Sequence, residues 1–111
     1  MNKGKWLSHK VMQKALHDKA GKPFILAWQR GQLEVELYEP RSQDMQTPHT
    51  RDELYVVVKG SGNFLCDGAT KPFEKGGVLF APAGIEHRFL DFTDDLSVWV
   101  IFYGPEGGER V

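Results

Sequence analysis

The sequence predicts an all-β domain preceded by one short helix. Three observations predict it. Short β-type runs recur at close spacing from Phe24 to Tyr103, turns containing Gly or Pro separate them, and the one helical stretch comes before all of them. At 111 residues and 12.6 kDa the chain has room for a single domain with a modest core. With 41% hydrophobic and 26% charged residues, its composition is that of a folded globular chain and excludes a disordered one.

The helix is expected over Ser8–Ala20. Ser8 can cap it, Val11, Ala15 and Leu16 form a narrow apolar stripe, and Gly21 can end it in the left-handed conformation. After Pro23 the texture turns to β. Phe24–Trp28 is followed by the turn Arg30-Gly31. Leu33–Tyr38 then alternates, with Leu33, Val35 and Leu37 on one face and Glu34, Glu36 and Tyr38 on the other. A polar loop over 39–52 holds Pro40 and Pro48. Strands follow at Glu53–Lys59, Asn63–Cys66, Val78–Ala81, His87–Phe92 and Leu96–Tyr103. Between them stand the Gly60-Ser61-Gly62 turn, the hairpin signal Asp67-Gly68, and turns at Gly76-Gly77 and Pro82-Ala83-Gly84. The expected division is a basic helical arm over 1–22 and a β domain over 23–111.

Charge is unevenly placed. The arm carries six Lys against Asp18, a net of +5, whereas residues 23–111 hold eight basic and fourteen acidic residues, a net of −6. A basic segment can bind phosphates or an anionic surface, or can lie on its own acidic body or on that of a partner subunit, and the absence of Arg and the few aromatics favour the latter. The near-neutral total gives no reason to expect nucleic acid. No apolar run nears the roughly 20 residues of a membrane span, and the first residues lack the apolar region of a signal peptide. A single Cys66 excludes an internal disulfide, so a reducing cytoplasm is the expected compartment.

Two stretches carry the candidate chemistry. In Pro48-His49-Thr50-Arg51-Asp52-Glu53, an imidazole leaves a loop four residues before a carboxylate that opens a strand, and period-two alternation places Glu53, Tyr55 and Val57 on one face. In the second, Gly76, Pro82, Gly84 and His87 set another imidazole at a strand start just after a tight turn.

These stretches resemble the two motifs of the cupins, G-x5-H-x-H-x3/4-E-x6-G and G-x5-P-x-G-x2-H-x3-N. His49, Glu53 and Gly60 match the first. Gly76, Pro82, Gly84 and His87 match the second, with Asp91 where the family has Asn. A closer resemblance is to small single-domain cupins of unassigned function, through the core D-x-Q-x-P-H-x-x-D-E-x-Y-V-V (Asp44 to Val57) and the ending F-Y-G-P-E-G-G-E (Phe102 to Glu109). The resemblance implies a double-stranded β-helix, or jelly-roll, barrel with a divalent metal in its mouth, and a homodimer. Carried over residue by residue, the ligands are His49, Glu53 and His87. The family's first histidine falls here at Thr47, a poor ligand. Gln46 is the nearest replacement, with Gln43 and Asp44 weaker choices on the same loop. Imidazoles and a carboxylate suit iron, manganese, nickel or zinc.

Other residues have plainer readings. His9 and His17 are expected as hydrogen-bonded structural residues, and Tyr55, Phe64, Phe80, Phe89 and Trp99 as core aromatics. Cys66 is expected as a small buried hydrophobe. Glu53 could instead pair with Arg51 or Arg88, and Glu34 and Glu36 are expected to face solvent. Two functions follow. The first is a metal-dependent enzyme, dioxygenase-like or isomerase-like, acting on a small organic molecule with Tyr55 or Glu36 as proton-transfer group. The second is a sensor or carrier that captures a small ligand without turnover.

Overall fold

The computed structural model describes residues 3–19 and 21–111. Helix α1 spans His9–His17, and the Ser8 hydroxyl caps it by accepting the Val11 N–H at 3.2 Å. It ends earlier than expected. Asp18 closes it by donating its N–H to Lys14 O at 3.0 Å, and the expected endpoint Ala20 lies outside the described residues. Its buried residue is Leu16, and the helix lies against strands β1 (Phe24–Arg30) and β2 (Leu33–Tyr38). None of the helices among the described residues is long and apolar enough to cross a membrane.

Six strands follow: β3 (Asp52–Lys59), β4 (Gly62–Cys66), β5 (Ala69–Phe73), β6 (Val78–Ala81), β7 (His87–Leu90) and β8 (Ser97–Tyr103). All ladders are antiparallel. The Asp67-Gly68 hairpin forms with φ of 51° and 76°, the pair of positive values that a two-residue type I′ turn needs. Its second strand, β5, has no alternation to announce it. Exposed up to Phe73 and carrying Pro72, it is tolerated because it is an edge.

The strands form two sheets, ordered β1-β2-β8-β3-β6 and β5-β4-β7. The expected closed barrel is therefore corrected to two facing open sheets. Among the described residues no ladder joins an edge of one to an edge of the other, and loops carry the chain between them. Side chains from both sheets fill the space between. Phe89 of β7 is the hub, with ring centroids 5.0 Å from Tyr55, 5.3 Å from Phe64 and 5.4 Å from Phe73. Val57, Ala81, Leu96, Val98, Val100 and Phe102 complete the core.

Register decides which residues face inward. One inward row crosses Glu34, Phe102, Glu53 and Ala81, and the next crosses Glu36, Val100, Tyr55 and Leu79. The outer rows include Leu54, paired with Phe80 and Ile101, and Val56, paired with Val78 and Trp99. Phe80 is thus no core residue. It is 46% exposed because alternation along β6 sets it in the outer row opposite Leu54, while its neighbour Ala81, opposite Glu53, faces inward and is buried. Trp99 also faces outward, half-buried, with the His9 ring edge-on at 6.0 Å.

Candidate metal centre and ligand cavity

Glu53, the second residue of β3, enters the space between the sheets and is fully buried. His87 reaches the same point from β7 in the facing sheet, and His49 arrives from the loop before β3. One ligand atom from each of the three lies within 4.8 Å of the others. The histidines meet through the turn between β6 and β7. Gly84, at φ 76°, donates its N–H to the His49 carbonyl at 2.7 Å, so the turn that delivers His87 is bonded to the loop that delivers His49. Asp52 adds a second tie. Its carboxylate accepts the Ala83 N–H at 2.9 Å and the Glu109 N–H at 3.0 Å, holding that turn and the C-terminal tail against the start of β3.

The geometry inside the cluster is that of atoms aimed at a common point. His49 Nδ1 is 3.2 Å from Glu53 Oε2, and His87 Nε2 is 2.5 Å from Glu53 Oε1. Yet His49 Nδ1, His87 Nε2 and Glu53 Oε2 are buried without a hydrogen bond of acceptable angle. Proximity without alignment leaves three buried polar atoms unsatisfied, a costly arrangement for which a cation is the natural remedy. The His87 tautomer agrees. Its Nδ1 lies 2.8 Å from the Ile85 carbonyl, which only accepts, so Nδ1 carries a hydrogen and Nε2 is the ring nitrogen aimed at the cluster, with a lone pair to offer a cation when the ring is neutral. Burial opposes charge on both partners. Contacts from His49, His87 and Tyr55 outweigh it for Glu53 and hold its pKa at about 2, and Glu53 with the Ile85 carbonyl outweighs it for His87 and raises that pKa.

A hydrogen-bonded chain backs the cluster. The Tyr55 hydroxyl lies 2.6 Å from Glu53 Oε1 and 3.0 Å from Gln46 Oε1, and the Gln46 amide donates to Asp44 at 2.7 Å. Asp44 also accepts the Phe89 N–H at 2.8 Å and the Tyr38 hydroxyl at 2.5 Å. The candidate fourth ligand, Gln46, therefore has its amide oxygen turned toward Tyr55. Asp44 is saturated, Gln43 is exposed, and Thr47 is exposed on the cavity wall. Burial first, then the neighbouring Glu53 charge, raises the Tyr55 pKa well above its ordinary value, so this hydroxyl keeps its proton.

In front of His49 opens a cavity of about 950 Å³. Glu34 and Glu36 line it, contrary to the solvent-facing expectation, because their row is the inward one. Arg51 does not pair with Glu53. It pairs with Glu34, and its guanidinium lies 5.7 Å from the centre of the Phe102 ring. Arg88 contacts Glu86 instead. Glu36 has its pKa pushed up to about 7, by burial first and the Glu34 charge second. Cys66 is half-buried against the core, with its thiol pKa raised by burial and by Asp67. His9 and His17 are structural as expected. His9 Nε2 lies 2.8 Å from Ser97 Oγ and His17 Nε2 2.6 Å from Glu39.

The cupin domain family matches residues 34–102. The chain belongs to the cupin family. Its match includes every residue of the cluster and of the chain that backs it. This cupin is 37% identical over 76 residues to the uncharacterized protein SCO3923 of Streptomyces coelicolor, covering 67% of this chain and 72% of that one. Its fold is similar to that of KdgF from a Halomonas species, with a TM-score of 0.64 at 18% identity over 76% of this chain and 83% of that one. It is also similar to MJ0764 from Methanocaldococcus jannaschii, a cupin with a double-stranded β-helix fold, with a TM-score of 0.61 at 12% identity over 76% and 84% of the two chains. These likenesses support the jelly-roll reading of the two sheets.

Sequence reasoning missed Arg51 as the partner of Glu34, and Asp44 and Asp52 as clamps. The signal was present: Asp44, Gln46, His49, Asp52, Glu53 and Tyr55 are among the fixed positions of the D-x-Q-x-P-H-x-x-D-E-x-Y core; Asp44, Gln46, Tyr55, Glu53 and His49 here form one chain of contacts, and Asp52 is bonded to the turn that meets the His49 carbonyl.

Proposed function

We propose that this cupin is a metal-dependent enzyme acting on a small organic molecule in the cavity before His49. His49, Glu53 and His87 hold the ion, which is iron, manganese, nickel or zinc. The observation that carries this is the set of three buried, unsatisfied ligand atoms converging from three elements. A bound ion would supply Lewis acidity and, if redox-active, dioxygen activation. The chain's own residues do the rest. Glu36, with a pKa near neutrality on the cavity wall, gives and accepts a proton at its carboxylate. Tyr55 keeps its proton and orients Glu53, while Phe102 and Val100 supply apolar wall.

Elemental analysis of the purified chain, beside a His49→Ala/His87→Ala variant, tests the reading. About one equivalent of metal per chain, lost in the variant, is expected. Absence of metal in both, with no uptake on loading, overturns it. The second reading, capture of a ligand without turnover, draws on Gln46. With its amide oxygen facing Tyr55, the ligand set rests on three side chains. Oxygen-uptake and isomerisation screens of the metal-loaded protein separate the two.

A homodimer fits the outer face of the five-stranded sheet, where Val78 and Phe80 are 63% and 46% exposed beside Leu54, Val56 and Ile101. Two copies meeting there would cover this patch by a two-fold contact. The single Cys66 fits a cytoplasmic location.

A further inference from the structure

The cavity that holds the proposed metal-dependent chemistry has walls of two kinds. Deep in it, Glu34, Glu36, His49 and Arg51 are half-buried, and Glu34 and Arg51 neutralise each other. At its rim stand three exposed cations: Lys19 and Lys22, from the segment following α1, and Arg41, from the loop after β2. Among the described residues none of the three has an acidic partner. The nearby acids are already engaged. Asp18 pairs with Lys14 at 3.2 Å, and Glu39 accepts from Gln13 at 2.7 Å and contacts His17 at 2.6 Å.

The arm is held so that these cations cannot simply drift away. His9 is bonded to Ser97, Gln13 and His17 to Glu39, and Leu16 is buried and lines the cavity itself. The excess positive charge of the first 22 residues is thus delivered in part to the mouth of a concave site, where low-dielectric walls concentrate its field.

We propose that this rim selects a small organic anion: Lys19, Lys22 and Arg41 hold its carboxylate or phosphate at the mouth, and its hydroxylated body extends toward Glu36 and His49. The proposal deepens the enzymatic reading and rests on this cavity being the substrate site. It gives the arm a role in specificity, since two of the three cations belong to it. The wall chemistry matches at both ends. Carboxylates and an imidazole in the interior accept from or donate to hydroxyls, and would repel a second negative charge placed there.

Calorimetric titration of the full chain with gluconate, glucose 6-phosphate and sorbitol tests it. Gluconate and sorbitol share a six-carbon hydroxylated skeleton and differ in the terminal carboxylate. Binding of at least one anion about tenfold tighter than sorbitol is expected, weakening with added salt. A Lys19→Gln/Lys22→Gln/Arg41→Gln variant should lose about tenfold in anion affinity with little change in melting temperature, because all three side chains are exposed. Preference for glucose 6-phosphate or for gluconate identifies the anionic group as phosphate or carboxylate. Equal binding of sorbitol, unchanged affinity in the triple variant, or no binding of either anion overturns the proposal. Repeating the titration in His87→Ala, which removes a proposed metal ligand but no residue lining the cavity, separates the two readings. Anion binding that survives there stands on the rim, whatever becomes of the metal.

Discussion

Tyr55 sets one buried hydroxyl against the carboxylate of the candidate metal cluster without being one of the cluster's own three residues. Its ring belongs to the core, in contact with Phe64 and Phe89, and its hydroxyl lies 2.6 Å from the carboxylate expected to bind metal. Tyr55→Phe keeps the packing and removes the bond. Partners of this kind are worth about 10- to 100-fold in metal affinity, so the variant should bind metal that much more weakly while melting close to wild type, as read by chelator competition and thermal unfolding. Glu53 was legible in the sequence because its neighbours at period two, Tyr55 and Val57, are both buried. Glu36 was not. Alternation on β2 separated Glu34, Glu36 and Tyr38 from Leu33, Val35 and Leu37 correctly, but it could not say that the charged face is the inner one. A cavity reverses the rule that charge faces water, and only the register against β8 reveals it.

Helix α1 is docked by polar contacts more than by apolar area, since Leu16 is its buried residue. Those contacts make docking sensitive to acid. Burial and the Lys59 charge lower the His9 pKa below 6.5, against a smaller opposing pull from Glu39. Burial would raise the Glu39 pKa, but hydrogen bonds from Ser97, His17 and Gln13 outweigh it and hold it below 4.5. Both groups bind fewer protons in the docked arm than in a free one. Docking is therefore complete above about pH 6.5, weakens as His9 takes up a proton below that value, and is lost further as Glu39 does so below about 4.5. Amide chemical shifts of residues 9–17 should move toward random-coil values on lowering the pH from about 7.5 to 4 while those of β3 and β8 stay in place; uniform shifts in all three would refute it. The helix itself was legible from Ser8, but its expected apolar stripe holds only in part: Leu16 is buried and Ala15 half-buried, whereas Val11 is 63% exposed. Strand β5 was not, since an exposed edge carrying Pro72 follows no burial period.

The two-sheet architecture leaves one broad apolar surface outside. Replacing Phe80 by Glu puts a charge on that surface, on the edge strand β6, without changing the buried Ala81 beside it. In sedimentation velocity the variant should run as a monomer where the wild type runs as a dimer; a monomeric wild type would end the homodimer proposal. The motif spacing made the jelly-roll topology legible, but closure into a barrel was beyond it, because closure depends on whether edge strands meet and no residue type encodes that. The Gly84–His49 bond has a further consequence. It ties two distant stretches of chain together through backbone atoms alone, so the cage stands assembled once the sheets have formed. Most of the ordering entropy is then met by folding rather than by metal capture. Unlike zinc fingers, which collapse when stripped, this chain should survive chelation with its secondary structure intact and refill without refolding. The ion would raise its melting temperature only by mass action, in proportion to the logarithm of its free concentration.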